Sequence, residues 1–222
     1  MVGNWSGNRE YFLGDLYINR MQKDTFKTLL KPSEETLFKE KGSKFFGYAF
    51  PVENEEMAMN ALETVKEKHK NARHFCYAYQ VGTDPVYFRA NDDGEPSNSA
   101  GMPIYGQIQS FDLTNVLVVV VRYFGGTKLG VGGLISAYKT SAKMTLEGSE
   151  IIEKTIDSIF EISFDYKDMN KVMRIIKEKN LQIVEQQLKL DCKILISVRK
   201  SMEENLTSAF ESLYEVKVKK VS

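Results

Sequence analysis

Residues 116–121 run Val-Leu-Val-Val-Val-Val. The next twelve, Arg122-Tyr123-Phe124-Gly125-Gly126-Thr127-Lys128-Leu129-Gly130-Val131-Gly132-Gly133, put five glycines into nine positions. Six consecutive apolar, mostly β-branched residues followed by a basic and aromatic pair and a glycine cluster describe a core strand that emerges into a tightly folded loop. Glycine at this density costs backbone entropy on folding. It is best explained where the main chain turns with positive φ or lies close against something else. The segment is therefore expected to form a surface, and a binding surface. A helix is predicted to follow over 132–148. Its apolar residues Leu134, Ile135, Ala137, Tyr138, Ala142, Met144 and Leu146 cover most of the circumference, so it is expected to be buried.

The 222 residues, 42% hydrophobic and 27% charged, suffice for one large or two ordinary domains with real cores and set disorder aside for most of the chain. Thirty basic residues balance thirty acidic ones, so no global positive field draws the protein to nucleic acid or anionic lipid, and any such binding needs a local patch. Cys76 and Cys192 lie far apart in predicted strands, which suits buried free thiols in a reducing compartment; the expected location is cytoplasmic. Residues 1–20 lack the layout of a signal peptide and are expected to add little to the fold. No apolar run approaches the roughly 20 residues needed to span a bilayer, so no membrane partner is expected.

Short apolar runs at 26–30, 36–38 and 45–50 predict strands joined by turns. Ala58, Ala61, Leu62 and Val65 predict an amphipathic helix over 55–69. A strand pair is predicted at 74–81 and 85–90, and residues 99–110 are compatible with a helix that has Pro103 in its first turn. After Gly148-Ser149-Glu150 the pattern reads strand 155–164, helix 168–179, strands 181–187 and 189–199, helix 201–213 and strand 216–221. That βαββαβ order predicts a ferredoxin-like sandwich. The expected class is α+β, with domains at 21–150 and 151–222.

One resemblance covers nearly the whole chain from Met21. It rests on Ala72-Arg73-His74-Phe75-Cys76-Tyr77-Ala78-Tyr79, Asp92-Asp93-Gly94-Glu95-Pro96-Ser97, Ala100-Gly101, and the run from Arg122 through Gly133 to Leu134 and Tyr138. These residues are similar to the YigZ/IMPACT family. The resemblance implies an N-terminal domain like the second domain of the fifth small-subunit ribosomal protein, with a left-handed βαβ, and a C-terminal module like the last domain of elongation factor G. It also implies a link to translational control, since the family's eukaryotic members have one and act through protein partners. Those members carry a different accessory domain, and this chain lacks the residues to claim that interaction.

Several constellations are candidate sites. A glycine-rich loop running into a helix offers exposed N–H groups and a positive dipole end to an anion, with Arg122 and Lys128 adding charge. The plainer reading is a glycine-packed connection touching only protein. No Gly-x-x-x-x-Gly-Lys-Ser/Thr or dinucleotide fingerprint is present, and no cofactor is expected. Asp92, Asp93 and Glu95 could begin a magnesium site, close a turn around Gly94, Pro96 and Ser97, or pair with Arg122 or Arg73. His74 and Cys76 share a strand face, compatible with a metal pair or thiol–base couple, but further zinc ligands are not apparent. The resemblance departs at Phe75, where the family commonly has a second polar residue. Tyr123 and Phe124 beside Arg122, and Tyr138 beside Lys139, are candidate platforms for nucleobases. Lys217, Lys219 and Lys220 form either a basic patch or a protected sheet edge.

Two functions remain open. The first is a non-enzymatic, translation-associated regulator that binds RNA or ribosomal particles through Arg73, His74, the acidic loop and the glycine loop. The second is a magnesium-dependent enzyme acting on a phosphorylated or nucleotide substrate. The lack of a positioned nucleophile and base favours the first.

Overall fold

The computed structural model describes residues 24–210 and 213–221. The predicted extension at residues 1–20 lies outside them. The described chain divides into two units, one spanning residues 26–154 and the other running from residue 155 onward with residues 24 and 25.

The first unit is built on a five-stranded antiparallel sheet in the order β2-β3-β6-β4-β5, where β2 is Thr36–Glu40, β3 Ser43–Pro51, β4 His74–Val81, β5 Tyr87–Asn91 and β6 Val116–Tyr123. Strand β6 lies at the centre, with Val121 paired to Phe46 on one side and Phe75 on the other. Because β3 and β4 both run antiparallel to β6, they are parallel to each other. Helix α1, Glu55–Lys68, crosses between them, capped by Asn54 through its side-chain bond to the Met57 N–H.

Both faces of this sheet are covered, which is why β6 is apolar without alternation. Val116, Val118 and Val120 pack with Phe45, Cys76, Ile104 and Tyr138 under helices α2, Gly101–Ser110, and α3, Gly130–Glu147. Leu117, Val119 and Val121 pack with Tyr48, Tyr77, Leu62 and Val65 under α1. Helix α3 starts at Gly130, two residues before its predicted start. It buries one face only: Ile135 and Met144 are each 38% exposed, while Ser141 and Thr145 are buried. Two small polar residues face the sheet because the approach is close. A Cβ at Gly47 would lie 2.0 Å from the Thr145 hydroxyl. Strand β1, Thr25–Leu29, pairs with β7, Ile151–Thr155, in a separate two-stranded sheet.

The second unit runs β8 Asp157–Asp165, α4 Met169–Glu178, β9 Gln182–Gln187, β10 Asp191–Arg199, α5 Glu203–Phe210 and β11 Lys217–Lys220. Its sheet order β11-β8-β10-β9 is that of a ferredoxin-like βαββαβ fold. Phe160, Ile162, Phe164, Ile194, Ile196 and Val198 face the helices, and the intervening residues leave the other face open. β11 is an edge strand. Lys220 bonds Glu203 at 2.9 Å, leaving Lys217 and Lys219 exposed, an arrangement that suits protection of an edge. Cys76 and Cys192 are buried and free. Among the described residues no helix is long and apolar enough to cross a membrane.

Candidate functional site

Strand β6 carries Arg122 and Tyr123 to the end of the sheet, and Phe124 and the glycine run follow. The glycines there have different causes. Gly125 lies against Gly42 in the β2–β3 turn, where a Cβ would stand 1.9 Å from the Gly42 carbonyl carbon. Gly130 opens α3 at φ +72°, where a side chain would be strained. Gly126, Gly130 and Gly132 face open space, and Gly133 is half-buried against Leu129. The loop is therefore exposed on one side and seated on backbone at one point.

The acidic segment before α2 is exposed at Asp93, Gly94, Pro96, Ser97 and Asn98, but its carboxylates are engaged. Asp92 Oδ1 accepts the N–H groups of Ala100 and Gly101 at 2.9 and 2.8 Å, and Oδ2 accepts that of Asn98 at 2.8 Å. This carboxylate thus caps the first turn of α2, where donors and dipole both favour negative charge. Asp93 Oδ2 accepts the Phe75 N–H at 2.6 Å, and the Asp93 carbonyl bonds His74 Nδ1 at 2.9 Å. Glu95 Oε1 accepts both Arg122 Nη1, at 2.7 Å, and the Tyr138 hydroxyl, at 2.8 Å. Ser97 is exposed in the same loop.

The three carboxylates therefore do not converge. Among the described residues no group of three or more His, Cys, Asp or Glu side chains is placed to hold a metal, so the magnesium reading of the acidic loop is corrected to that of a turn that caps a helix and holds an arginine. His74 and Cys76 are likewise engaged by backbone, since Cys76 Sγ donates to the Asp92 carbonyl at 3.0 Å. Burial pushes the Cys76 thiol well above its ordinary pKa, which removes the thiolate that a thiol–base couple would need.

Arg122 is buried and forms an ion pair, with side-chain exposures of 7% for Arg122 and 5% for Glu95. Its guanidinium carbon lies 5.7 Å from the Phe45 ring centroid and 5.6 Å from that of Phe124, while Nη2 reaches Ser43 Oγ at 3.5 Å. Nε has no hydrogen-bond partner among the described residues. Arg122 also lines a cleft of about 540 Å³ with Arg73, His74, Tyr123, Phe124 and Lys128. Arg73 and Lys128 are exposed at this cleft, and Phe124 is 58% exposed. A shallower hollow of about 240 Å³, lined by Gly42, Lys44 and Phe46, shares Tyr123 and Phe124. Tyr138, by contrast, is fully buried and offers no platform for a base.

Tyr123 is fixed by residues that the sequence pattern did not single out. His69, at the end of α1, is buried between the Tyr48 hydroxyl at Nε2 and the Tyr123 hydroxyl at Nδ1, 3.0 Å away. Tyr48 donates to Glu35, which pairs with Lys68 at 2.6 Å. With Tyr48 donating to Glu35, a neutral His69 carries its proton on Nε2 and accepts the Tyr123 hydroxyl at Nδ1. Burial holds the His69 pKa below its ordinary value, in keeping with that neutral ring, and burial also raises the Tyr48 phenol. Ser43, whose hydroxyl also accepts the Gly125 N–H at 3.2 Å, is a second unforeseen support.

The chain is similar to known proteins. The Impact N-terminal domain matches residues 41–146, a span that holds the central strand, the acidic segment and the glycine loop. The IMPACT family member YvyE of Bacillus subtilis is 35% identical over 161 residues, 72% of this chain and 74% of its own. An IMPACT family member of Haemophilus influenzae is 31% identical over 183 residues, covering 81% of this chain and 89% of its own. A crystal structure of a hypothetical protein superposes with a TM-score of 0.68 at 21% identity, over 90% of this chain and 98% of its own, a likeness of fold. From these identities and coverages, the chain belongs to the IMPACT family.

Proposed function

We propose that this protein is a non-enzymatic, translation-associated regulator of the cytoplasm that binds RNA or ribosomal particles through the cleft beside the glycine loop. The observation that carries the reading is the grouping of two exposed cations, Arg73 and Lys128, and an exposed aromatic ring, Phe124, around one concave surface. Cations paired with an aromatic platform are what backbone phosphates and unstacked bases require. The charge of the whole chain is balanced, so attraction must be local, as it is here. Family membership adds the expectation of translational control. An enzymatic role finds less support, because Cys76 is occupied by a backbone carbonyl, Asp92 and Asp93 by backbone N–H groups and Glu95 by Arg122, which leaves His74, held at Nδ1 by the Asp93 carbonyl, without a paired nucleophile.

Sedimentation with purified ribosomes across a salt series tests the proposal. Association is expected at low salt and should weaken as salt rises. The Arg73→Ala/Lys128→Ala double variant should bind about tenfold less tightly, with the salt slope reduced by about one for each phosphate that is no longer neutralised. Absence of association with ribosomes or RNA at low salt ends the reading.

A further inference from the structure

We infer that the cleft receives a single unpaired nucleotide, its phosphate held by Arg73 and Lys128 and its base stacked on Phe124. This rests on the nucleic-acid reading above and narrows it to one chemical unit.

The Arg122 side chain is more than nine-tenths buried, yet only part of its donor set is used. Nη1 serves Glu95 and Nη2 reaches toward Ser43, while Nε is buried without a partner among the described residues. Nε has almost no accessible surface, so the part of this guanidinium is to hold the Phe124 ring at the cleft rather than to bond the ligand.

Charge selects the ligand. Glu95 balances Arg122 one for one, so the attraction of the cleft comes from Arg73 and Lys128. Neither forms an ion pair with a described residue, and no carboxylate lines the cleft. The ligand is therefore anionic. Its remaining bulk is set by shape: about 540 Å³ exceeds what an isolated anion needs and falls in the usual range for small-molecule sites. The Phe124 ring, held on one side by the Arg122 guanidinium at 5.6 Å and otherwise largely open, presents a flat π-surface at the same cleft. Phosphate on arginine and lysine together with a planar ring on phenylalanine is the chemistry of a nucleotide. A base inside a duplex has both faces covered, so the nucleotide must be unpaired.

The test uses the whole protein and hexauridylate carrying a 5′-phosphate and a 3′ fluorophore, followed by anisotropy at low salt. Hexauridylate should bind, and uridine 5′-monophosphate should displace it at least about tenfold better than uridine or inorganic phosphate does. Phe124→Ala, at an exposed position, should weaken binding about tenfold without loss of folding. Arg73→Ala/Lys128→Ala, at exposed positions, should reduce the preference for the monophosphate over uridine. Equal displacement by uridine, or by inorganic phosphate, overturns the inference, and so does an unaltered affinity in Phe124→Ala. If ribosomes bind but hexauridylate does not, the inference falls and the broader reading stands. If neither binds, both fall.

Discussion

Glu95 and Arg122 meet at 2.7 Å with both side chains almost completely removed from solvent, joining the acidic loop to the end of the central strand. Such a pair is held by what surrounds it. The Tyr138 hydroxyl shares the same carboxylate oxygen, and two aromatic rings flank the guanidinium. Removing one partner strands the other charge, so Glu95→Gln should cost about 3–5 kcal/mol of folding stability. Urea unfolding followed by tyrosine fluorescence measures this. A loss below about 1 kcal/mol would show that the pair is not an important support.

Asp92 satisfies the backbone N–H groups of Ala100 and Gly101 at the start of α2 and that of Asn98 in the loop before it. Asp92→Ala should destabilise the protein by about 1–2 kcal/mol, and Asp92→Asn, which keeps one acceptor, by less. If the side chain were instead a metal ligand, the Asn variant would change metal-dependent stability. Thermal unfolding of wild type with and without magnesium is expected to show no difference.

Two glycines of the same run should respond in opposite ways. Gly125→Ala drives a methyl group into the Gly42 backbone and should cost at least about 2 kcal/mol. Gly132→Ala, within α3 and facing open space, should be stabilising by about 0.5–1 kcal/mol. Paired denaturation curves check both signs.

The neutral His69 makes stability depend on pH. Its folded pKa lies below its ordinary value of 6.5, so just below pH 6.5 the unfolded chain holds more protons than the folded one. Its contribution is therefore complete above about pH 6.5 and declines as acid is added toward the folded pKa. Glu35, held low chiefly by Lys68 and next by Tyr48, adds its own loss only at lower pH, through the carboxylate range. Unfolding free energies measured from pH 7.5 down to 5.5 should fall, and His69→Gln should flatten that slope.

Much of the fold could be read from periodicity, and the reasons differ by element. The unbroken apolar run of β6 marked a central strand, and alternation at Ile194, Ile196 and Val198 marked a sheet with one open face. The expected burial of α3 failed at Ile135 and Met144. Apolar residues can stand on an exposed face, while the buried face accommodates Ser141 and Thr145 through the absent side chain of Gly47. Within the site, pairing of Glu95 with Arg122 was one of three options, because carboxylates in a short loop look alike until their partners are known. Ser43 reaches Arg122 across 79 positions, and His69 reaches Tyr123 across 54; neither relation leaves a trace in local spacing.

The contact between Gly42 and Gly125 joins two turns that are distant in the chain, main chain to main chain, with no side chain to cushion them. The tip of the β2–β3 hairpin is thus a poor place for an inserted tag or an extra residue, although in sequence it resembles any other surface turn. A change there would be transmitted directly to the rim of the cleft, and engineering intended to leave that rim untouched should spare it.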